Sequence, residues 1–186
     1  PKQLSKENKK FQYSTIRTGA RAKDYWSCLQ WIEDAGIIRC CYNLQMPELP
    51  LAGNAIDNVF KVYMADTGLF VSMLEDGTQA DILQGDLLGY KGAIFENLLA
   101  DFLGKMQRPL YYYHKEGGLE IDFVMRYKGE CTLLECKATT GHAKSLRTIL
   151  SNPDKYHIHQ AIKVGSYNIG RSDGILTIPH YLAFCL

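Results

Sequence analysis

Leu119-Glu120-Ile121-Asp122-Phe123-Val124-Met125-Arg126-Tyr127, followed after Lys128-Gly129-Glu130 by Cys131-Thr132-Leu133-Leu134-Glu135-Cys136-Lys137-Ala138, is the stretch on which the fold turns. Both runs are apolar with a few charges inserted, and Lys128-Gly129 between them reads as a tight hairpin turn. Successive side chains on a strand point to opposite faces, so Glu135 and Lys137 share one face while Leu134, Cys136 and Ala138 take the other. The same alternation sets Asp122 against Ile121 and Phe123, both expected on the face opposite to it. If the pairing brings Asp122 beside Glu135, two carboxylates and an ammonium converge. Two anions that close repel, and one keeps its proton unless a cation lies between them. Mg²⁺ suits the pair: it takes one or two carboxylates, keeps several waters and leaves room for a phosphate. On this reading Asp122 and Glu135 hold the metal and the carbonyl of Cys136 adds an oxygen. Lys137 orients or helps deprotonate an attacking water and steadies charge on the phosphate.

The triplet itself is common. With 20 acidic residues and 14 lysines, about one or two acidic-x-Lys triplets arise by chance. A second one, Glu7-Asn8-Lys9, lies in a polar stretch with no strand alternation and no acidic partner upstream. Glu135-Cys136-Lys137 differs in lying on an apolar strand, after a hairpin that carries Asp122. Charged residues seldom occupy such strands without a partner. The alternative is a buried ion pair of Lys137 with Glu135 or Asp122 that serves no chemistry.

Working outward, residues 90–106 form a helix with an apolar stripe of Ile94, Leu98, Leu99, Phe102, Leu103 and Met106, ending before Pro109. Glu96 lies between the stripe positions, where it can take a second ion or hydrogen-bond a water on the first. Leu110 to His114 is a strand closed by Gly117-Gly118, residues 142–150 a helix, and 160–165 and 175–178 strands. The order is α-β-β-β-α-β-β. Upstream, residues 22–35 read as a helix ended by Gly36, followed by strands at 37–42 and 59–64 with a polar, proline-containing loop between them. Asp66-Thr67-Gly68 caps a short helix, Leu69 to Leu74. Helix, strand, loop, strand after a basic start is the order of a partial winged helix-turn-helix. Turn signals between 75 and 90 divide the chain into a winged-helix region (1–75), a linker (76–87) and a second domain (88–186).

Apolar residues make up 46% and charged residues 22% of the 186, as in ordinary globular chains. No apolar run approaches the roughly 18 residues of a membrane helix, and no signal-peptide pattern opens the chain. Six cysteines without CxxC or disulfide spacing point to reduced thiols in the cytoplasm and away from zinc. The net charge of +1 hides an asymmetry: residues 1–24 hold seven basic and two acidic residues (+5), leaving 14 basic and 18 acidic (−4) for the rest. A basic segment on an acidic body is compatible with contact to a phosphate backbone, and equally with a solvated helix face. The Tyr111-Tyr112-Tyr113 run, able in principle to stack on bases, reads as core. His114 and His180 read as structural histidines, and Gln160 can approach the acidic site from the side.

The stretches Lys91-Gly92-Ala93-Ile94-Phe95-Glu96-Asn97, Leu119 to Val124 and Leu134 to Ala138, with Phe60-Lys61-Val62-Tyr63-Met64-Ala65-Asp66-Thr67-Gly68-Leu69 before them, resemble the C-terminal region of a prokaryotic AAA+-type ATPase family. The resemblance covers nearly the whole chain. It implies an α/β fold with a restriction-endonuclease-like PD-(D/E)XK core (α-β-β-β-α-β), preceded by a partial winged helix. It places Glu96, Asp122, Glu135 and Lys137 at the site positions, with Ile121 standing where the nominal motif has proline. It also implies an N-terminal ATPase domain outside this chain, as the Pro1 start suggests. ATP binding belongs to that domain, because the one Gly-Lys pair here, Gly104-Lys105, precedes Met106 and lacks the phosphate-loop pattern. The expected activity is Mg²⁺-dependent DNA phosphodiester hydrolysis. The rivals are a non-catalytic module that binds DNA or protein and regulates the ATPase, and an oligomerisation domain with a vestigial site.

Overall fold

The computed structural model describes residues 10–13, 16, 21–86 and 88–186. Helix α1 (Ala22–Asp34) ends where Gly36 turns to φ 70°, which lets the Ile37 amide reach the Ile32 carbonyl at 3.1 Å. Strands β1 (Ile38–Leu44) and β2 (Ala55–Met64) pair antiparallel around a 3-10 turn at Leu51–Asn54. Asp66 caps α2 (Thr67–Ser72) by accepting the Leu69 amide at 2.8 Å, as its sequence position promised. Helix α3 (Thr78–Leu83) occupies the stretch read as a linker.

The second block follows the expected order. Helix α4 (Lys91–Lys105) leads to β3 (Leu110–Lys115), β4 (Leu119–Tyr127) and β5 (Glu130–Cys136), a consecutive antiparallel meander. Lys128 (φ 51°) and Gly129 (φ 89°) both take positive φ, the requirement of the two-residue hairpin turn. Helices α5 (Lys144–Leu150) and α6 (Pro153–Tyr156) cross over to β6 (Ala161–Gly165), parallel to β5. The short β7 (Gly170–Ser172) and β8 (Ile175–Pro179) finish the sheet, and a 3-10 segment, His180–Cys185, closes it. Neither α6 nor β7 was expected.

Among the described residues eight strands form one sheet in the order β2-β1-β3-β4-β5-β6-β8-β7. Strands β1 and β2, read as part of a winged helix, thus build the edge of the sheet that carries the second block. β1 joins it through a parallel pairing of Cys41, Tyr42 and Asn43 with Leu110, Tyr111 and Tyr112. Helix α4 packs Leu99, Ala100 and Leu103 on one face, against Tyr63, Phe123 and Leu134. On the other face α5 and α6 bury Leu146, Ile149 and Tyr156 against Ile121, Leu133 and Ala161.

One expectation needs correction. Ile121 lies on the α5 face and Phe123 on the α4 face, although strict alternation puts both on one side. Tyr111 pairs with Val124 while Tyr113 pairs with Ile121, so Asp122 and Phe123 together oppose Tyr112. This bulge breaks the two-residue period at Asp122, and bulges often re-aim a side chain in this way.

Candidate functional site

Asp122 and Glu135 stand one step beyond Phe123–Leu134, the final couple of the β4–β5 register. There the Asp122 side chain replaces the backbone ladder: the Cys136 amide donates to its Oδ2 at 2.8 Å. Leu134 and Cys136 pack toward α4, which leaves Glu135 and Lys137 together on the reverse side, as alternation required. Lys137 Nζ lies 2.6 Å from Glu135 Oε1. Glu135 is buried at 7% exposure, and its Oε2 has no hydrogen-bond partner.

The electrostatics are those of a site short of positive charge. Burial pushes Asp122 well above the ordinary carboxylate range, and the charges of Glu135 and Glu96 push it further against Lys61 and the Cys136 amide. Glu135 is raised by burial too, held back by its bond to Lys137 and that residue's charge. Burial alone would lower Lys137, but the bond to Glu135 and the charges of Glu135 and Asp122 outweigh it and raise it. Lys137 is therefore an ammonium at neutral pH.

Glu96 is brought to the same cluster, held by groups that the sequence reading passed over. Its Oε1 accepts from Tyr63 Oη at 2.5 Å and from Lys61 Nζ at 3.3 Å. Lys61, exposed only 2%, also reaches Glu120 Oε1 at 2.8 Å and lies 5.0 Å from the Tyr112 ring centre. Burial would strip its proton, yet Glu96, Glu120 and Asp122 outweigh burial and raise its pKa. Asn97, next on α4, staples that helix to β2 by accepting the Met64 amide at 2.9 Å and donating to the Met64 carbonyl at 3.2 Å. A signal for Lys61 existed. It is a lysine in the apolar run Val59 to Met64, the same anomaly that singled out Lys137.

Other candidates find structural roles. Gln160 is at the far end of β5, donating to Thr132 Oγ1 at 3.1 Å and the Tyr127 carbonyl at 3.4 Å, so it does not approach the acidic site. Tyr112 and Tyr113 are core. The His114 backbone is clamped by the Asn43 amide group. His180 donates to the Lys137 carbonyl at 2.8 Å and stacks on Phe95 at 4.1 Å, bracing the strand end that carries the ammonium. All six cysteines are free. Glu7-Asn8-Lys9 and most of the basic segment lie outside the described residues.

Among the described residues, no three His, Cys, Asp or Glu side chains gather as a ready metal cage. The set at hand is two carboxylates, which suits a hard divalent ion that keeps its waters. The unpartnered, buried Glu135 Oε2 fits such an ion.

This α/β chain is similar to known domains in two segments. Residues 91–181 match a family model described as a domain of unknown function, DUF4143, which is found in ATPase-associated proteins, and residues 1–80 match another domain of unknown function, DUF8612. No curated protein matches the chain significantly. Among solved structures it is similar to protein VC1899 from Vibrio cholerae, at 12% identity and a TM-score of 0.31. That alignment covers 96% of this chain and 44% of the other, so the chain spans less than half of that protein's length. Among the described residues no helix is long and apolar enough to cross a membrane.

Proposed function

We propose that the chain carries a PD-(D/E)XK nuclease-like core that hydrolyses DNA phosphodiesters with Mg²⁺, in a protein whose other part is an AAA+-type ATPase. The observation that carries this reading is Glu135: buried, with Oε1 on Lys137 at 2.6 Å and Oε2 unpartnered, and electrostatically coupled to Asp122. The element order α4-β3-β4-β5-α5-β6 supports it as well. Asp122, Glu135 and the Cys136 carbonyl would hold the ion. When bound, Mg²⁺ supplies Lewis-acid activation of water and neutralises charge on the phosphate. Lys137, kept protonated by its acidic neighbours, serves as a donor to water and phosphate rather than as a base. Glu96, tied to Tyr63 and Lys61, acts as a fixed negative charge facing Asp122. Incubation with supercoiled plasmid and Mg²⁺ or Mn²⁺ tests the proposal. Nicking should fall about a hundredfold in Lys137→Ala, the scale of removing one donor that stabilises developing charge; undiminished nicking in that variant sinks the mechanism.

A second reading is favoured by Lys61, whose buried ammonium already balances much of the acidic cluster. In that case the module binds DNA or a protein partner and regulates the ATPase without cutting. It predicts salt-sensitive DNA binding with no turnover, and no binding at 50 mM salt would dispose of its DNA form.

A further inference from the structure

We infer that Lys61 is a tethered counter-ion: its ammonium holds the Glu96–Glu120 side of the acidic cluster in place of a second divalent cation, leaving room for one ion at Asp122 and Glu135. This rests on reading Asp122 and Glu135 as a cation site.

The argument starts from the two halves of the cluster. On the Glu135 half, a buried carboxylate oxygen lacks any partner. On the Glu96 half, Oε1 already accepts from two donors, Tyr63 Oη at 2.5 Å and Lys61 Nζ at 3.3 Å. Lys61 in turn is satisfied by Glu120 at 2.8 Å and by the face of Tyr112. In two-ion sites the metals lie about 3.5–4 Å apart and share the carboxylates between them. A second ion using Glu96 would have to displace an ammonium whose own side chain is only 2% exposed and which is held by two carboxylates. It would also meet the full repulsion of that charge in a setting that screens poorly.

Lys61 is also far from the other site residues in the sheet. It sits on β2, separated from β4 by β1 and β3, so its chain and that of Glu120 reach toward each other across two strands. The charge that fills half of the cluster thus comes from the segment matching one family model, and the carboxylates from the segment matching the other.

Mn²⁺ titration of the full chain, with free ion counted by electron paramagnetic resonance, tests this. Wild type should bind one Mn²⁺, lost in Glu135→Gln. Lys61→Met, which keeps the buried length and removes the charge, should bind two, and Mn²⁺ should raise its melting temperature more than it raises that of wild type. If Lys61→Met does not fold, Lys61→Gln, neutral but still able to donate to a carboxylate, keeps both Glu96 and Glu120 and should likewise bind two. A folded charge-deleted variant that binds the same number of ions as wild type, with the same affinity, overturns the inference. Wild type binding none while Lys61→Met binds one upholds Lys61 as the counter-ion and refutes the cation reading of Asp122 and Glu135. Binding of one ion to wild type that survives Glu135→Gln refutes that reading alone.

Discussion

Replacing Lys137 with Met should destabilise the protein at pH 8 and leave it nearly unaffected at pH 4, below the ordinary glutamate pKa of about 4.3. The substitution keeps much of the side-chain length and removes the charge that lies 2.6 Å from Glu135 Oε1. Breaking a fully buried ion pair costs about 3–5 kcal/mol, because the remaining charge is left uncompensated. The Glu135 side chain is 9% exposed but that of Lys137 is 30% exposed, so water replaces part of the lost interaction and about 2 kcal/mol is the appropriate scale. For a chain of this length that is a fall of roughly 4–8 °C in melting temperature. The pH dependence follows from the direction of the Glu135 shift. Burial raises it and Lys137 holds it down, so removing Lys137 raises it further. A carboxyl whose folded pKa lies above its unfolded value binds its proton more tightly in the folded state. Its contribution is then full below the unfolded pKa and is lost as pH climbs through the folded one. The variant therefore loses stability on the alkaline side, where Glu135 must be ionised, and recovers where it is protonated. Thermal melts followed by circular dichroism at both pH values read this directly. An equal loss at pH 4 and pH 8 would assign the effect to packing of the lysine stem and refute the electrostatic account.

Asn97→Leu should cost about 3 kcal/mol in urea unfolding, because it strands the Met64 amide and carbonyl, each worth about 1–3 kcal/mol when buried and unpaired. Gly165→Ala should cost about 2 kcal/mol or more, since its new Cβ would meet Tyr167 Cε2 at 2.5 Å and the Thr139 carbonyl at 2.7 Å. Limited proteolysis should then cut faster between 139 and 142, because Tyr167 Oη holds that loop by accepting the Gly141 amide at 2.7 Å.

Most of the second block was legible because its signals are local. The stripe of α4, the Lys128-Gly129 turn and the period-two alternation at Leu134 to Lys137 each act over a few residues. The bulge at Asp122 was not legible. Nothing in Ile121-Asp122-Phe123 marks it, and it exists because β3 and β4 must present two different registers on either side of Tyr112. The parallel pairing of β1 with β3 was hidden for a related reason: it joins residues 41–43 to 110–112, and no local pattern encodes a partner that distant. Turn residues Glu75 to Gly77 drew the eye to a linker, although a single-turn-scale helix, α3, follows them directly. Lys61 carries the same local signal as Lys137, a lysine inside an apolar run, but its partners Glu96 and Glu120 lie 35 and 59 residues away, beyond the reach of any spacing rule.

The one-sheet arrangement bears on how the segment 91–181 should behave when cut from the rest. Strand β3 is interior, with β1 on one side and β4 on the other. Without residues 1–80 it becomes an edge carrying Leu110, Tyr111 and Tyr112, an apolar row that invites pairing with other chains. The α4 face of the core loses Cys41 and Tyr63. Glu96 loses both of its donors, and Glu120 loses the ammonium at 2.8 Å. The charges of Glu96, Asp122 and Glu135, which act on one another, would then have only Lys137 to offset them. Their mutual repulsion and desolvation would drive protonation or opening of the cluster. The upstream strands therefore set both the sheet edge and the charge of the site, and the acidic cluster is a property of the two segments together.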